Sequence, residues 1–151
     1  MTRVSIIIPI LNEAAYLARM LRCLAVLEPP ATEIIIVDGG SVDDTLNIAQ
    51  VPEVTILSAP QPGRSLQMNL GAKAARGDIL CFLHADTLVP DDLIAVIESG
   101  LSDSRVVCGA FISVMTGPGL WTFLVFLHLK LTHLRIALTV RSFLSEVVTL
   151  G

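Results

Sequence analysis

The chain opens on an unbroken apolar run, Val4-Ser5-Ile6-Ile7-Ile8, stopped by Pro9; behind Asn12-Glu13 the pattern changes to Leu17, Leu21, Leu24 and Leu27 at helical spacing. This predicts a strand followed by an amphipathic helix. The same switch recurs after Pro29-Pro30. Glu33-Ile34-Ile35-Ile36-Val37 predicts a second strand, Asp38-Gly39-Gly40 a turn, and Ser41 with Asp44 three residues on a capped helix start. Val54 to Leu57 predicts a short third strand and Pro60 to Gly63 a loop. Ser65 to Arg76 predicts a helix with Leu66, Met68, Leu70 and Ala74 inside, closed by Gly77 as its C′ residue. Ile79 to Leu83 predicts the fourth strand, running straight into His84-Ala85-Asp86-Thr87, and Pro90-Asp91-Asp92 starts another helix with its acids in the first turn. Val106 to Met115 predicts a further strand, Gly117-Pro118-Gly119 a break, and Leu120 to about Thr139 a long apolar helix.

Strands that are apolar along their whole length are buried on both faces, and strict β-α alternation pairs them in parallel through right-handed crossovers. The expected fold is therefore α/β, a Rossmann-like, doubly wound, mostly parallel sheet with helices on both faces. A length of 151 residues fits one compact domain.

Composition narrows the function classes. With 10 basic and 14 acidic residues and a net charge of −4, the chain lacks the clustered Lys and Arg that nucleic-acid phosphates demand, so no nucleic-acid partner is expected. Cys23, Cys81 and Cys108 are far apart in apolar stretches and form no C-x-x-C pair, so they read as reduced core thiols. The N-terminus carries no basic leader with an apolar stretch and cleavage site, and together these features predict a cytoplasmic protein. Leu120 to Leu129 is too short to span a bilayer, which takes about 20 apolar residues, and runs into His128, Lys130, His133 and Arg135. A peripheral membrane contact stays open, although buried helices share this composition.

In open α/β sheets ligands bind outside the carboxyl ends of the strands, which selects Pro9 to Glu13, Asp38 to Ser41, Ala59 to Arg64 and His84 to Thr87. No G-x-G-x-x-G follows the first strand and no G-x-x-x-x-G-K-[ST] occurs, so dehydrogenase and P-loop readings fall. Phosphates at such an acidic rim need a divalent cation between them and the carboxylates, and Asp86 is the obvious ligand. His84 and Asp86, at i and i+2, leave a buried strand on one side, where packing needs neither. Asp38 is either an acceptor for a base imide and a ribose or an ordinary turn aspartate, and Asn12-Glu13 either touches a ligand or caps a helix. Arg64 opens a helix, where a cation opposes the macrodipole; an anion ligand explains it, as does solvation or pairing with an acid. His128 and His133 are five apart, a poor match to one helical face, and read as interfacial or surface residues.

Three segments together, V-S-I-I-I-P-I-L-N-E (4–13), E-I-I-I-V-D-G-G-S-V-D-D-T (33–45) and G-D-I-L-C-F-L-H-A-D-T (77–87), resemble family 2 glycosyltransferases. P-G-R-S-L-Q-M-N-L-G-A and H-A-D-T look like one bacterial subgroup. The resemblance implies a GT-A fold over about Thr2 to Met115 and use of a nucleotide-diphosphate sugar, most simply a UDP-sugar. It places Pro9, Asn12, Glu13, Asp38 and Gly39 at the nucleoside, and Arg64 and Asn69 near the nucleotide or diphosphate. The D-x-D metal motif falls on His84, Ala85 and Asp86. Its first position is His84 here, so Asp86 carries over as the Mn²⁺ or Mg²⁺ ligand and His84 as a phosphate or metal contact.

Members of the family continue into an acceptor-binding half with a G-D-Q-like segment and an E-D motif whose carboxylate acts as general base in inverting members. This chain has neither, and its last acid is Glu146. No general base is nominated. The expected division is a nucleotide-sugar-binding core over 1–116 and an apolar helical segment over 117–151. A truncated member that keeps its donor site would leave apolar surface uncovered and form a homo-oligomer through Leu120 to Leu144. The competing reading is a catalytically inactive nucleotide-binding or interaction domain. A sugar-phosphate nucleotidyltransferase would carry a glycine-rich G-x-G-T-R-like loop where this chain has Pro9-Ile10-Leu11-Asn12.

Overall fold

A computed structural model describes residues 2–103 and 105–111. Its elements alternate without exception: β1 (Val4–Ile10), α1 (Ala14–Leu24), β2 (Glu33–Asp38), α2 (Thr45–Ala49), β3 (Val54–Ser58), α3 (Arg64–Ala74), β4 (Ile79–Phe82) and α4 (Leu93–Gly100). The four strands form one sheet in the order β3-β2-β1-β4, and every pairing is parallel. All belong to one compact unit, Met1–Gly109.

Period-2 alternation along β1 builds both faces of the core. Val4, Ile6, Ile8 and Ile10 pack with Leu17, Met20 and Leu24 of α1, Ala49 of α2 and Leu93, Ile94 and Ile97 of α4. Ile7 points the other way, with Ile35 and Val37 of β2, against Leu70 and Ala72 of α3. Ile6, Ile7 and Ile8 are fully buried, each worth roughly 1.5–3 kcal/mol relative to exposure. This is the doubly wound α/β arrangement, with β1 central and the chain crossing the opposite face through α3 to reach β4.

Two glycines set how closely the layers meet. A Cβ on Gly71 would stand 2.5 Å from Ile7 Cγ2, so α3 lies on the sheet only because that position is bare. A Cβ on Gly77 would meet Ser5 Oγ at 2.5 Å, Ser5 N at 2.7 Å and Arg3 O at 2.9 Å. Gly77 is thus required by contact with β1 rather than as a left-handed helix terminator, since α3 already ends at Ala74.

Other expectations need correction. Ser41 does not cap α2, which starts at Thr45: its hydroxyl is drawn to Asp38 and to the backbone of Asn12. In α3 the fully buried positions are Gln67 and Gly71, while Leu66, Met68 and Leu70 are half-buried and Ala74 is exposed. Residues 106–111 form no strand: they are exposed, follow a turn closed by Val106 N–H donating to Asp103 O and have no pairing partner among the described residues, while 112–115 of the expected strand lie outside them. Among the cysteines only Cys81 is a core thiol, which burial pushes up to about 11; Cys23 is half-buried and Cys108 exposed. The boundary at 116, the 117–151 segment, His128, His133 and the proposed oligomer contact lie outside the described residues. No helix among the described residues is long and apolar enough to cross a membrane.

Candidate functional site

The loops leaving β1 and β2 are laced together. Asn12 adopts φ 56°, and in that left-handed conformation its N–H donates to Ser41 Oγ at 2.9 Å while its Oδ1 accepts from Val42 N–H at 2.8 Å. Glu13 N–H donates to Thr45 Oγ1 at 2.8 Å. Asp43 accepts from the hydroxyl and N–H of Thr45 and from Ala14 N–H, and these bonds, the hydroxyl first, hold its carboxyl below the usual range. Asp38, 3% exposed, accepts from Gly40 N–H, Ser41 N–H and Ser41 Oγ–H. The turn-aspartate role is therefore filled, and Asn12 serves as a loop cross-link.

Beside this lacework lies a cleft of about 430 Å³ lined by Pro9, Ile10, Leu11 and Glu13 on one wall and Pro62, Gly63, Arg64 and Gln67 on the other. Of the residues nominated from sequence, Pro9, Glu13 and Arg64 line it. Gly39 is buried directly behind Gln67. Asn69 is exposed on α3 and does not line the cleft. Arg64 is exposed and makes no ion pair among the described residues, so of its two alternatives pairing with an acid is removed.

The third group stands at the end of β4. Leu83 N–H still donates to Ile7 O at 3.0 Å, which continues the ladder one residue past the strand. Alternation then exposes His84 and Asp86 and buries Ala85, 4% exposed, in the core. A turn closed by Thr87 N–H donating to His84 O presents both side chains outward, free of hydrogen bonds among the described residues. No group of three or more His, Cys, Asp or Glu gathers among the described residues. One carboxylate nevertheless suits a small hard cation, which keeps several waters and completes its shell from substrate phosphates, while the imidazole beside it suits a softer divalent ion or a phosphate oxygen.

The residue that sequence reasoning missed is Gln67. It is 3% exposed, and its Nε2 donates to Ile10 O at 2.8 Å and to Val37 O at 2.7 Å, clamping the carboxyl ends of β1 and β2. Its i,i+4 spacing to Gly71 was the available signal, because it puts a polar residue on the face of α3 that meets the sheet.

A parallel sheet wound on both faces, with a polar cleft and an exposed carboxylate at the strand ends, defines an open α/β protein of the class whose ligands bind at the carboxyl ends of the strands. Comparison with known proteins makes this particular. The Glycosyl transferase family 2 model matches residues 5–142, and the chain belongs to that family. It is 36% identical over 112 residues to a PGL/p-HBAD biosynthesis glycosyltransferase of Mycobacterium bovis (strain BCG / Pasteur 1173P2), a match covering 66% of this chain and 41% of that protein. The chain thus spans about two-fifths of the length of this relative, and as little as 16% of others that it matches. Among solved structures it resembles the mannosyltransferase PcManGT of Pyrobaculum calidifontis in complex with GDP-Man and Mn²⁺, with a TM-score of 0.65 and 27% identity over 70% of this chain and 34% of that one. It also resembles glucosyl-3-phosphoglycerate synthase of Mycobacterium tuberculosis in complex with Mn²⁺, UDP and phosphoglyceric acid, with a TM-score of 0.56 and 25% identity over 67% and 39% of the two chains. The fold is the α/β fold of GT-A glycosyltransferases.

Proposed function

We propose that this chain binds a nucleoside-diphosphate sugar, most simply a UDP-sugar, as the donor domain of a metal-dependent glycosyltransferase. The cleft between the β1–α1 loop and the start of α3 carries this reading: it is large enough for a nucleoside and has Arg64, without an acid partner among the described residues, on its wall. Pro9, Glu13 and Gln67 bound the nucleoside, with Asp38, Gly39 and Asn12 shaping its floor. Arg64 meets the diphosphate, and Asn69 lies further along the same helix. Asp86 and His84 would hold Mn²⁺ or Mg²⁺ at the end of β4, next to Ala85. The cation supplies Lewis-acid stabilisation of the leaving diphosphate. The crystallised relatives with UDP or GDP-Man and Mn²⁺ support this donor chemistry. The apolar composition of 117–151 makes it the proposed interface or acceptor-side segment, and the free thiols support a cytoplasmic setting.

Calorimetric titration of UDP and GDP, with and without Mn²⁺, tests the reading. Mn²⁺-dependent binding that disappears in Asp86→Ala is expected, followed by release of sugar from a nucleotide-sugar donor. Binding without any turnover identifies the competing nucleotide-binding domain, and absence of nucleotide binding under every condition overturns the reading.

A further inference from the structure

The cleft takes one wall from the end of β1 and the loop behind it and the other from the first turn of α3, so its width depends on how that turn is attached to the sheet. Gln67 makes the attachment. Its Nε2 reaches Ile10 O on β1 at 2.8 Å and Val37 O on β2 at 2.7 Å, and two carbonyls are met only by the amide nitrogen, which spends both hydrogens there. Ile10 O also accepts from Gly39 N–H at 2.9 Å, so three segments meet at one carbonyl. Among the described residues no other side chain of α3 hydrogen-bonds to the sheet. Gly71, one turn on, lets the helix lie close against Ile7, but an apolar contact is non-directional and does not fix the helix along its own axis. Two hydrogen bonds from one atom to two strands do. Arg64 stands three residues before Gln67 on the same helix, and Gln67 N–H donates to Gly63 O at 2.9 Å, so the clamp holds the backbone that carries the arginine.

We infer that Gln67 is a positioning residue that acts through Arg64: by pinning the first turn of α3 to the ends of β1 and β2, it sets where the guanidinium stands relative to the opposite wall of the cleft. This rests on the assignment of Arg64 to the diphosphate of a nucleotide donor made above. Without the clamp α3 keeps its apolar seat through Leu70, Gly71 and Ala72, while its first turn is free to shift. Gly39 is part of the device, because a Cβ there would stand 3.1 Å from both Nε2 and Oε1 and push the amide off its seat.

The test is a double-mutant cycle read as the affinity of the full chain for UDP or GDP, whichever the wild type binds, by calorimetric titration at constant Mn²⁺. Arg64→Ala should weaken binding about tenfold, and Gln67→Met, similar in length but without the donors, about fivefold. The double variant should bind within about twofold of Arg64→Ala alone, because once the guanidinium is gone its placement no longer matters. A residue that only supports the fold leaves the affinity of the folded protein unchanged, and one that acts by touching the nucleoside gives losses that multiply to about fiftyfold. Should Gln67→Met not fold, Gly39→Ala takes its place in the cycle: no left-handed φ forbids a side chain there, and the methyl displaces the amide by a few tenths of an ångström while leaving its donors intact. Its loss of affinity should likewise vanish in the Arg64→Ala background. Losses that multiply, or undiminished binding by the folded single variant, overturn the inference and leave the donor site standing. If Arg64→Ala binds like the wild type, or the wild type binds no nucleotide, the reading beneath the inference falls and the inference falls with it.

Discussion

The two ends of the sheet are built from the same strands and differ in the polar groups they leave unpaired. At the amino-terminal end, Ser5 Oγ donates to Glu33 Oε1 at 2.6 Å and accepts from Gly77 N–H, while Arg76 reaches the same carboxylate through its N–H and its Nε at 2.5 and 3.2 Å. Arg3 and Asp78 close the rim with an exposed ion pair at 2.8 Å. At the carboxyl end, Arg64, His84, Asp86 and Gln67 Oε1 have no partner among the described residues. A polar group whose role is structural is satisfied within the fold. A charged or fixed polar group left unpaired beside a cleft is available to a ligand, which is why the second end is the one proposed to bind the donor.

The sharpest way to break this contrast is to damage the amino-terminal end alone. Gly77→Ala forces a methyl into contact with the backbone of Ser5 and Arg3, and a cost of about 3 kcal/mol is expected. Thermal unfolding should show a large drop in Tm, while the protein that remains folded binds nucleotide with unchanged affinity. Asp38→Asn acts at the other end yet on stability: it replaces an acceptor of three hydrogen bonds with a group that faces N–H donors with its own, and should cost about 2 kcal/mol by denaturant unfolding. Asp38 thus belongs, in its pairing, with the amino-terminal groups.

Arg64→Ala separates the ends in the reverse sense. Nucleoside-diphosphate affinity should fall about tenfold, or about 1.4 kcal/mol, in calorimetric titration. Stability should hold or rise by a few tenths of a kcal/mol, because the substitution removes a cation from the first turn of α3, where it opposes the helix dipole. A fall in both would make Arg64 a structural residue and remove its assignment to the diphosphate.

What the sequence made legible follows from the same distinction. The strands announce themselves because Ile6 to Ile8 and Ile35 to Val37 are buried on both faces, and burial is what apolar patterning reports. His84 and Asp86 were legible because alternation past a strand end fixes their side. Gln67 was hidden, since its partners are the carbonyls of Ile10 and Val37, which carry no side-chain signature. Ser41 misled for a related reason: the hydroxyl that fits an N-cap is taken by Asp38 and by Asn12, 29 residues away. Long-range polar pairing overrides local capping preference, and only the fold reveals which pairings exist.

The smallest effect concerns Glu33, whose side chain is 8% exposed. The hydroxyl of Ser5, then the N–H of Arg76, hold its carboxyl below the ordinary value of about 4.5. A depressed folded value means that the stability Glu33 contributes is complete above pH 4.5 and is lost as pH falls from there through the lowered value, because the unfolded chain takes up the proton first. Glu33→Gln should cost about 1 kcal/mol at neutral pH and flatten the acid limb of stability measured by denaturant titration. Nucleotide affinity at neutral pH should not move, since the substitution touches only the end of the sheet whose polar groups are already paired. If it does move, the two ends are coupled through β1, and Ile10 O, where Gln67 holds that strand, is the place to look.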